Sequence, residues 1–301
     1  VLNVIRFTGN TAADGLIIGG IIVIAAALVI LGGISRIARA NERIVPFMAV
    51  FYIVGSLIII LRNAGMVIPA FGAIFKGAFS MRAAAGGVGG AVLKQAITWG
   101  FKRGVFSNEA GLGSSVMVHS ASNVKEPVTQ GLWGIFEVFF DTMIVCTMTA
   151  LLILTSGIVD LETGASLSGA TKLGLATEAF TMQFGTFGGI FIAIAVTLFA
   201  FSTVLGWSFY GTKAWEYLFG TKATVVYKVI FLAVVLIGSM MGADLVIDLS
   251  DTFNGLMAIP NLIGVLSLSG TVVAITRNYN ARTFEKKTGD EVGYMLSHFS
   301  D

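Results

Sequence analysis

Long uncharged stretches dominate this sequence and restrict what it can fold into. The longest runs from Ala179 to Thr212, 34 residues without a charge, whereas a helix needs about 20 apolar residues to cross the hydrocarbon core of a bilayer. A soluble domain with 55% hydrophobic and only 12% charged residues would have too little polar surface to cover its core. The sequence therefore predicts an all-α polytopic membrane protein surrounded by lipid bilayer, and excludes an ordinary soluble enzyme.

Composition and motifs also argue against a nucleic-acid partner, a disulfide framework, a cysteine metal cluster and an enzyme. The net charge of +2 is too small to indicate a nucleic-acid partner. Cys146 is the single cysteine, so neither a disulfide framework nor a cysteine metal cluster is expected. The sequence has no glycine-rich phosphate loop and no nucleophile elbow, which argues against an enzyme. No obligate protein partner is evident.

Charged residues divide the sequence into seven predicted spans, one of them interrupted. The six unbroken spans are predicted at 15–35, 44–61 (which can continue to 66), 127–157, 188–212, 224–241 and 256–276. The segment from Pro69 to Ser80 is short and amphipathic, as is typical of an interfacial helix.

Lysine and arginine predict the orientation. With the 36–43 loop in the cytoplasm, eleven basic residues fall on the cytoplasmic side and five outside, and three lie in the interrupted span. This bias agrees with the positive-inside rule. We therefore expect a multi-pass protein of the cell membrane with a cytoplasmic C-terminus.

The interrupted span, residues 86–121, is the strongest functional signal. It contains Lys102-Arg103-Gly104 and a polar, glycine-containing stretch at 106–113, and irregular backbone at membrane depth survives only where protein buries it or water lines it. We predict half-helices at 90–104 and 111–121. The start of the second suits a carboxylate, and the end of the first suits an ammonium or sodium ion. The alternative is a glycine-rich kink that only packs helices.

Two stretches resemble a known family. Residues 102–114 (KRGVFSNEAGLGS) closely resemble a signature of the alanine/glycine:cation symporters, and residues 251–261 (DTFNGLMAIPN) resemble the family's last-span motif. The resemblance implies the inverted-repeat fold of the leucine transporter (LeuT-like) and uptake of a small amino acid with Na+ as coupling ion. Family members carry additional N-terminal spans, including a first broken helix. We therefore expect a chain truncated at the N-terminus, with the end of the first repeat at 1–80, the second repeat at 81–278 and a cytoplasmic tail at 279–301.

By the same resemblance, residues of the broken helix contact the substrate: Phe106, Ser107, Asn108, Glu109 and Gly111. Carbonyls near Phe106 and Ser107 would accept from the substrate ammonium, and the Phe106 ring would line the side-chain pocket. Glu109 either binds the ammonium or caps the second half-helix, and the sequence does not separate these roles.

A hydroxyl pair in the predicted span 188–212, the fourth of the six unbroken spans, is the second predicted part of the site. The resemblance favours Ser202 and Thr203 as sodium ligands, whereas the residues alone favour back-bonding to the preceding turn. Trp207 follows Thr203 by one turn, where its ring would narrow a pocket for alanine or glycine. A membrane-interface tryptophan is the alternative. We expect these residues to converge with Asn108 and Glu109 on one cavity.

Two carboxylates lie in the middle of a predicted span. Glu137 and Asp141 share a helix face, and we expect them to neutralise Lys102 and Arg103, with a direct sodium or proton role as the alternative. Three polar residues ahead of the last predicted span are expected to cap or gate it: Asp248, Asp251 and Asn254.

The sequence thus predicts a sodium-coupled symporter of small neutral amino acids that works by alternating access. The alternatives are a proton-coupled transporter or a channel subunit, in which four charged residues would form a relay (Arg103, Glu109, Glu137 and Asp141). A purely structural, inactive membrane subunit is a third.

Overall fold

Helices account for nearly all regular structure in this chain. The computed structural model describes residues 11–79, 87–170 and 173–286. In chain order the helices are α1 (Thr11–Ile30), α2 (Ile34–Arg62), α3 (Val67–Phe79), α4 (Gly87–Asn108), α5 (Val116–His119), α6 (Pro127–Phe139), α7 (Thr147–Thr155), α8 (Leu173–Phe184), α9 (Thr186–Phe219), α10 (Thr224–Met240) and α11 (Ala243–Thr283). Within the described ranges, β-pairing is limited to one isolated bridge between Val159 and Ser166. The predicted all-α class is confirmed.

In the part of the chain that the structure describes, six helical stretches are long and apolar enough to cross a membrane. They are Ala13–Ile30, Ile34–Arg62, Pro127–Thr155, Thr186–Phe219, Thr221–Met240 and Asp244–Thr283. These correspond to the six unbroken spans that the sequence predicts; the ends of three agree within five residues, and the other three differ by 7 to 12 residues at one or both ends. The chain is therefore a polytopic membrane protein.

The last helix departs most from its predicted bounds. It begins at Ala243 and not near Leu256, and it continues through Pro260 to Thr283. The three polar residues expected to cap it therefore lie inside it, and the capping prediction is wrong. Asp244, in the first turn, suits the start of a helix because the N-terminal end of the dipole favours acidic side chains.

The chain divides into two compact units, residues 1–97 with 144–246 and residues 98–143 with 247–301. In the first unit, α2, α7, α8 and α9 pack around a core that includes Ile59, Leu152, Phe180 and Ile192. A second cluster joins α1, α9 and α10. Tyr52 packs in the first core, and its hydroxyl lies 2.7 Å from the Thr149 hydroxyl.

A tight turn separates α8 from α9, where the sequence predicts one uncharged stretch. Gly185 has φ 60°, which places it in the region that favours glycine. A Cβ added at Gly188 would lie 2.0 Å from the Phe180 carbonyl oxygen. The backbones of the two helices therefore approach each other closely, which is possible because Gly188 has no Cβ.

The second unit contains the end of α4, then α5, α6 and most of α11. A bidentate ion pair connects the start of α6 with the end of α11: Arg282 Nη1 and Nη2 donate to Glu126 Oε1 and Oε2 at 2.9 and 2.8 Å. Side chains that touch at helix ends belong to the same membrane face. The predicted alternation of spans likewise places the start of α6 and the end of α11 at the same membrane face.

This ion pair gives a pH-dependent contribution to stability. The hydrogen bonds from Arg282 hold the pKa of Glu126 below its ordinary value of 4.5, so the native state favours the carboxylate. The contribution is present above the ordinary pKa and is lost as the pH falls through the lowered one. The measurement is the melting temperature from pH 6.5 to pH 3.5. Below about pH 5, the melting temperature of Glu126→Gln should fall less steeply than that of the parent. At neutral pH the variant should lose about 0.5–1 kcal/mol.

The exposed carboxylate of Glu42 on α2 provides the control. Glu42→Gln should follow the parent curve over the whole range. Parallel curves for Glu126→Gln and the parent would contradict the assignment of this pH dependence to Glu126.

Candidate functional site

The interrupted span is a helix followed by an irregular segment. Helix α4 ends at Asn108, and regular α-helix resumes only at Val116, for four residues. The predicted break is present, but the second half-helix does not begin at Gly111. Gly111 and Gly113 have φ 79° and 78°, and a residue of a right-handed helix needs a φ near −60°. The helix start predicted near Gly111 is therefore wrong, and the anion site expected there stays a prediction.

The irregular segment, Glu109–Ser115, is well anchored. Leu112 is 3% exposed and Ser114 is fully buried. Glu109, which is not a glycine, has φ 49°, and such backbone strain persists only where surrounding contacts enforce it. The Ser114 hydroxyl donates to Glu109 Oε2 at 2.7 Å, so the Glu109 carboxylate stabilises the segment from within.

Asn261 of α11 holds the segment from the side. Its Nδ2 donates to the Gly111 carbonyl oxygen at 2.9 Å, and a Cβ at Gly113 would lie 2.5 Å from its Oδ1. The family-like motif at 251–261 contains this residue, which is not among the predicted site residues. The signal available was an amide next to Pro260 in the middle of an apolar span.

The last turn of α4 also contacts the next span. Between α6 and α7 the helix becomes π-helical from Phe140 to Cys146. The Ser107 hydroxyl donates to Asp141 Oδ2, and the Thr142 hydroxyl donates to Asn108 Oδ1 at 2.8 Å. Two of the predicted substrate residues are therefore fixed by two consecutive residues of this π-helical segment.

The predicted ion pairs of the two mid-span carboxylates are not those observed. Arg103 Nη2 lies 2.5 Å from Asp251 Oδ2, and the guanidinium stacks over Trp99 and Phe106 at 5.4 and 5.6 Å from their ring centroids. Lys102 Nζ lies 5.6 Å from the Trp99 centroid. The expectation that Glu137 and Asp141 neutralise Lys102 and Arg103 is wrong, because the aspartate that reaches Arg103 comes from α11.

Glu137 instead lies near the short helix α5. Its Oε2 is 3.5 Å from His119 Nε2, and His119 Nδ1 is 2.7 Å from Gln130 Nε2. His119, Lys125 and Gln130 are among the residues that line a cavity of about 520 Å³. Within the described ranges, no group of three or more His, Cys, Asp or Glu side chains could hold a metal ion.

The hydroxyl pair and Trp207 belong to the other compact unit. Both hydroxyls donate to the Phe199 carbonyl oxygen, Ser202 at 3.0 Å and Thr203 at 2.9 Å. This is the back-bonding geometry of hydroxyls in membrane helices, and the oxygen lone pairs remain acceptors. Trp207 is half-buried and packs edge-on against Tyr210 at 5.5 Å. A sodium role for Ser202 and Thr203 and a substrate role for Trp207 stay predictions.

Comparison with known proteins gives one consistent result. Residues 3–292 match the model of the family described as the sodium:alanine symporter family. The sodium/alanine symporter AgcS of Methanococcus maripaludis is 45% identical over 90% of this chain and 58% of its own length. The probable sodium/glutamine symporter GlnT of Bacillus subtilis is 35% identical over 95% and 58%. The putative sodium/proton-dependent alanine carrier protein YrbD, also of Bacillus subtilis, is 34% identical over 89% and 56%. The chain thus spans little more than half the length of these relatives.

Proposed function

Because the chain belongs to the sodium:alanine symporter family, we propose that it serves in sodium-coupled uptake of small neutral amino acids, alanine or glycine, across the plasma membrane. The family consists of transporters and not of enzymes, and the six apolar helical stretches among the described residues agree with a place in the membrane. The proposed mechanism is alternating access in a LeuT-like inverted-repeat fold.

One observation carries the proposal for the site: the end of α4 and the anchored segment after it form a polar break in the helix, held by hydrogen bonds from Ser114 and Asn261. The C-terminal end of a helix attracts a cation such as a substrate ammonium. Asn108 offers an amide to the substrate, and Phe106, 44% exposed, offers a ring to its side chain. These grounds support substrate contacts of Phe106 and Asn108, and the family relationship extends the proposal to Ser107, Glu109 and Gly111.

The proposed orientation is supported by charge and by one contact. The excess of basic residues on one set of loops favours a cytoplasmic C-terminus. The Glu126–Arg282 ion pair agrees with it, because it requires residues 126 and 282 to lie at the same membrane face.

The relay that a channel would need finds no support in the contacts. In the described part of the chain, each of its four charged members has a different partner: Arg103 with Asp251, Glu109 with Ser114, Glu137 with His119 and Asp141 with Ser107. The family relationship also favours a symporter.

Uptake into proteoliposomes tests the proposal. With the intact polypeptide, labelled alanine should accumulate under an inward sodium gradient and not under an equal potassium gradient. Asn108→Ala should reduce the initial rate at least about tenfold, since a misplaced binding group costs that much. Competition with unlabelled glycine and glutamine reports the preferred substrate, because the relatives' names differ on it.

Asn280→Ala is the matched control, since it removes an exposed amide near the end of α11; it should transport like the parent. If a proton gradient without sodium drives alanine accumulation equally well, the transporter is coupled to protons and the proposed sodium coupling is wrong. Ion current without amino-acid accumulation would favour the channel and contradict the symporter.

A further inference from the structure

A cavity of about 600 Å³ lies between α3 and the turn at residues 160–164, within the first compact unit. Next to it, Ala70 of α3 is fully buried in one cluster with Ile60 of α2 and Leu151 of α7. These two residues belong to the last turns of two spans, so the cavity lies where the hydrocarbon core of a bilayer meets the head groups. Helix α3 has 13 residues, too few to cross that core. Ile68 and Phe75 on α3 are exposed, as is typical of a helix that lies in the membrane interface.

Charges of both signs line this cavity. Lys76 comes from the last turn of α3, and Asp160 and Glu162 come from the turn after α7. Among the residues that the structure describes, no ion pair joins Lys76 to either carboxylate. The hydrogen bond from the Thr163 hydroxyl, 2.6 Å long, holds the pKa of Asp160 below its ordinary value of 3.8, so this carboxylate is charged at neutral pH. A ligand that carries both a positive and a negative charge can balance both sides of the cavity at once.

We propose that this cavity binds the zwitterionic head group of an aminophospholipid. Its phosphate would lie at Lys76 and its ammonium at Asp160 and Glu162, since an ammonium donates hydrogen bonds to carboxylates and lysine is a common partner of phosphate. Ile74 and Leu154 give the cavity apolar walls, which suit the glycerol and the first methylenes of the acyl chains. This inference goes beyond the proposed transport function and does not depend on it.

Size and charge distinguish this ligand from other candidates. A volume of about 600 Å³ is within the range of about 300–1,000 Å³ that is common for small-molecule sites, and alanine would leave most of it to water. An anionic lipid without an ammonium would leave the carboxylates of Asp160 and Glu162 without a partner of opposite charge. Both comparisons favour a phospholipid whose head group ends in an ammonium.

The melting temperature in detergent measures this binding, because a ligand that binds only the folded protein stabilises it. Phosphatidylethanolamine should raise the melting temperature of the intact polypeptide more than phosphatidylcholine or phosphatidylglycerol with the same acyl chains. The trimethylated ammonium of choline has no N–H to donate, and glycerol carries no positive charge. The comparison therefore isolates the contacts of the ammonium with the two carboxylates.

Two variants test the position of the site. Lys76→Gln and Glu162→Gln each remove one charge from the wall of the cavity. Each should raise the phosphatidylethanolamine concentration that gives half-maximal stabilisation about threefold to tenfold, the scale of one partly exposed hydrogen bond between charged groups. Lys222→Gln and Glu42→Gln remove an exposed charge elsewhere in the same compact unit and should leave this concentration unchanged.

Three results would overturn the proposal. The first is equal stabilisation of the parent by all three lipids, and the second is a preference for phosphatidylethanolamine that Lys76→Gln and Glu162→Gln both keep. The third is a rise of the half-maximal lipid concentration in the parent when alanine is added, which would assign the cavity to a free amino acid. None of these measurements requires transport, so a failure of this site is distinct from a failure of the proposed symport.

Discussion

Asp251→Asn is expected to destabilise the protein by about 1–2 kcal/mol, because it leaves the Arg103 guanidinium without its carboxylate. The loss should be smaller than for a fully buried pair, since the Arg103 side chain is 42% exposed. The pair connects the last turns of α4 with α11, next to the proposed substrate contacts. We therefore also expect a lower rate of alanine uptake, measured alongside the melting temperature in detergent.

Asp248→Asn is the matched control, because it removes an exposed aspartate one turn earlier on the same helix. It should change neither stability nor uptake. Exchanging the pair, Arg103→Asp with Asp251→Arg, should recover part of the stability that each single change loses. If the exchanged protein is no more stable than either single variant, the ion pair is not what stabilises this contact.

The spans were predictable from the sequence because each depends on local composition. An uncharged stretch of about 20 residues requires no knowledge of the neighbours, and all six unbroken spans were found. The start of α11 was missed for a related reason. Asp251 looked like a boundary, since charges at depth are costly, and its partner Arg103 lies 148 positions away along the chain.

The position of the site in the sequence was predictable, but the contacts that its residues make were not. Glycines between polar residues predicted the break after α4, and the break is there. The partners were not predictable, because nothing in the sequence states which of several carboxylates reaches Arg103. The π-helical turn at Phe140–Cys146 has no sequence signature, yet it contains the Asp141 and Thr142 that contact Ser107 and Asn108. The role of Asn261 was not predictable either, because it depends on a contact with Gly111, 150 positions away along the chain.

Gly113→Ala tests whether the anchored segment must keep its shape, and it should have the largest effect of the substitutions considered. At φ 78° an alanine costs about 1–2 kcal/mol. Its Cβ would also displace the Asn261 amide from 2.5 Å, at a cost of about 1 kcal/mol for the hydrogen bond to Gly111. We expect a loss of about 2–3 kcal/mol from these two terms, with uptake at least about tenfold slower.

Two companion variants identify the cause of that loss. Gly104→Ala introduces the same methyl group inside α4, where no atom lies within 4 Å; a helix favours alanine by about 0.5–1 kcal/mol, so this variant should be as stable as the parent or more so. Adding Asn261→Ala to Gly113→Ala removes the collision but not the backbone strain. The double variant should therefore lose less stability than the sum of the losses of the two single variants. If the losses of Gly113→Ala and Asn261→Ala simply add, the methyl group does not act through Asn261. A Gly113→Ala protein that melts and transports like the parent would show that an ordinary residue is tolerated in the segment after α4. The conformation of this segment would then no longer support the proposed substrate contacts.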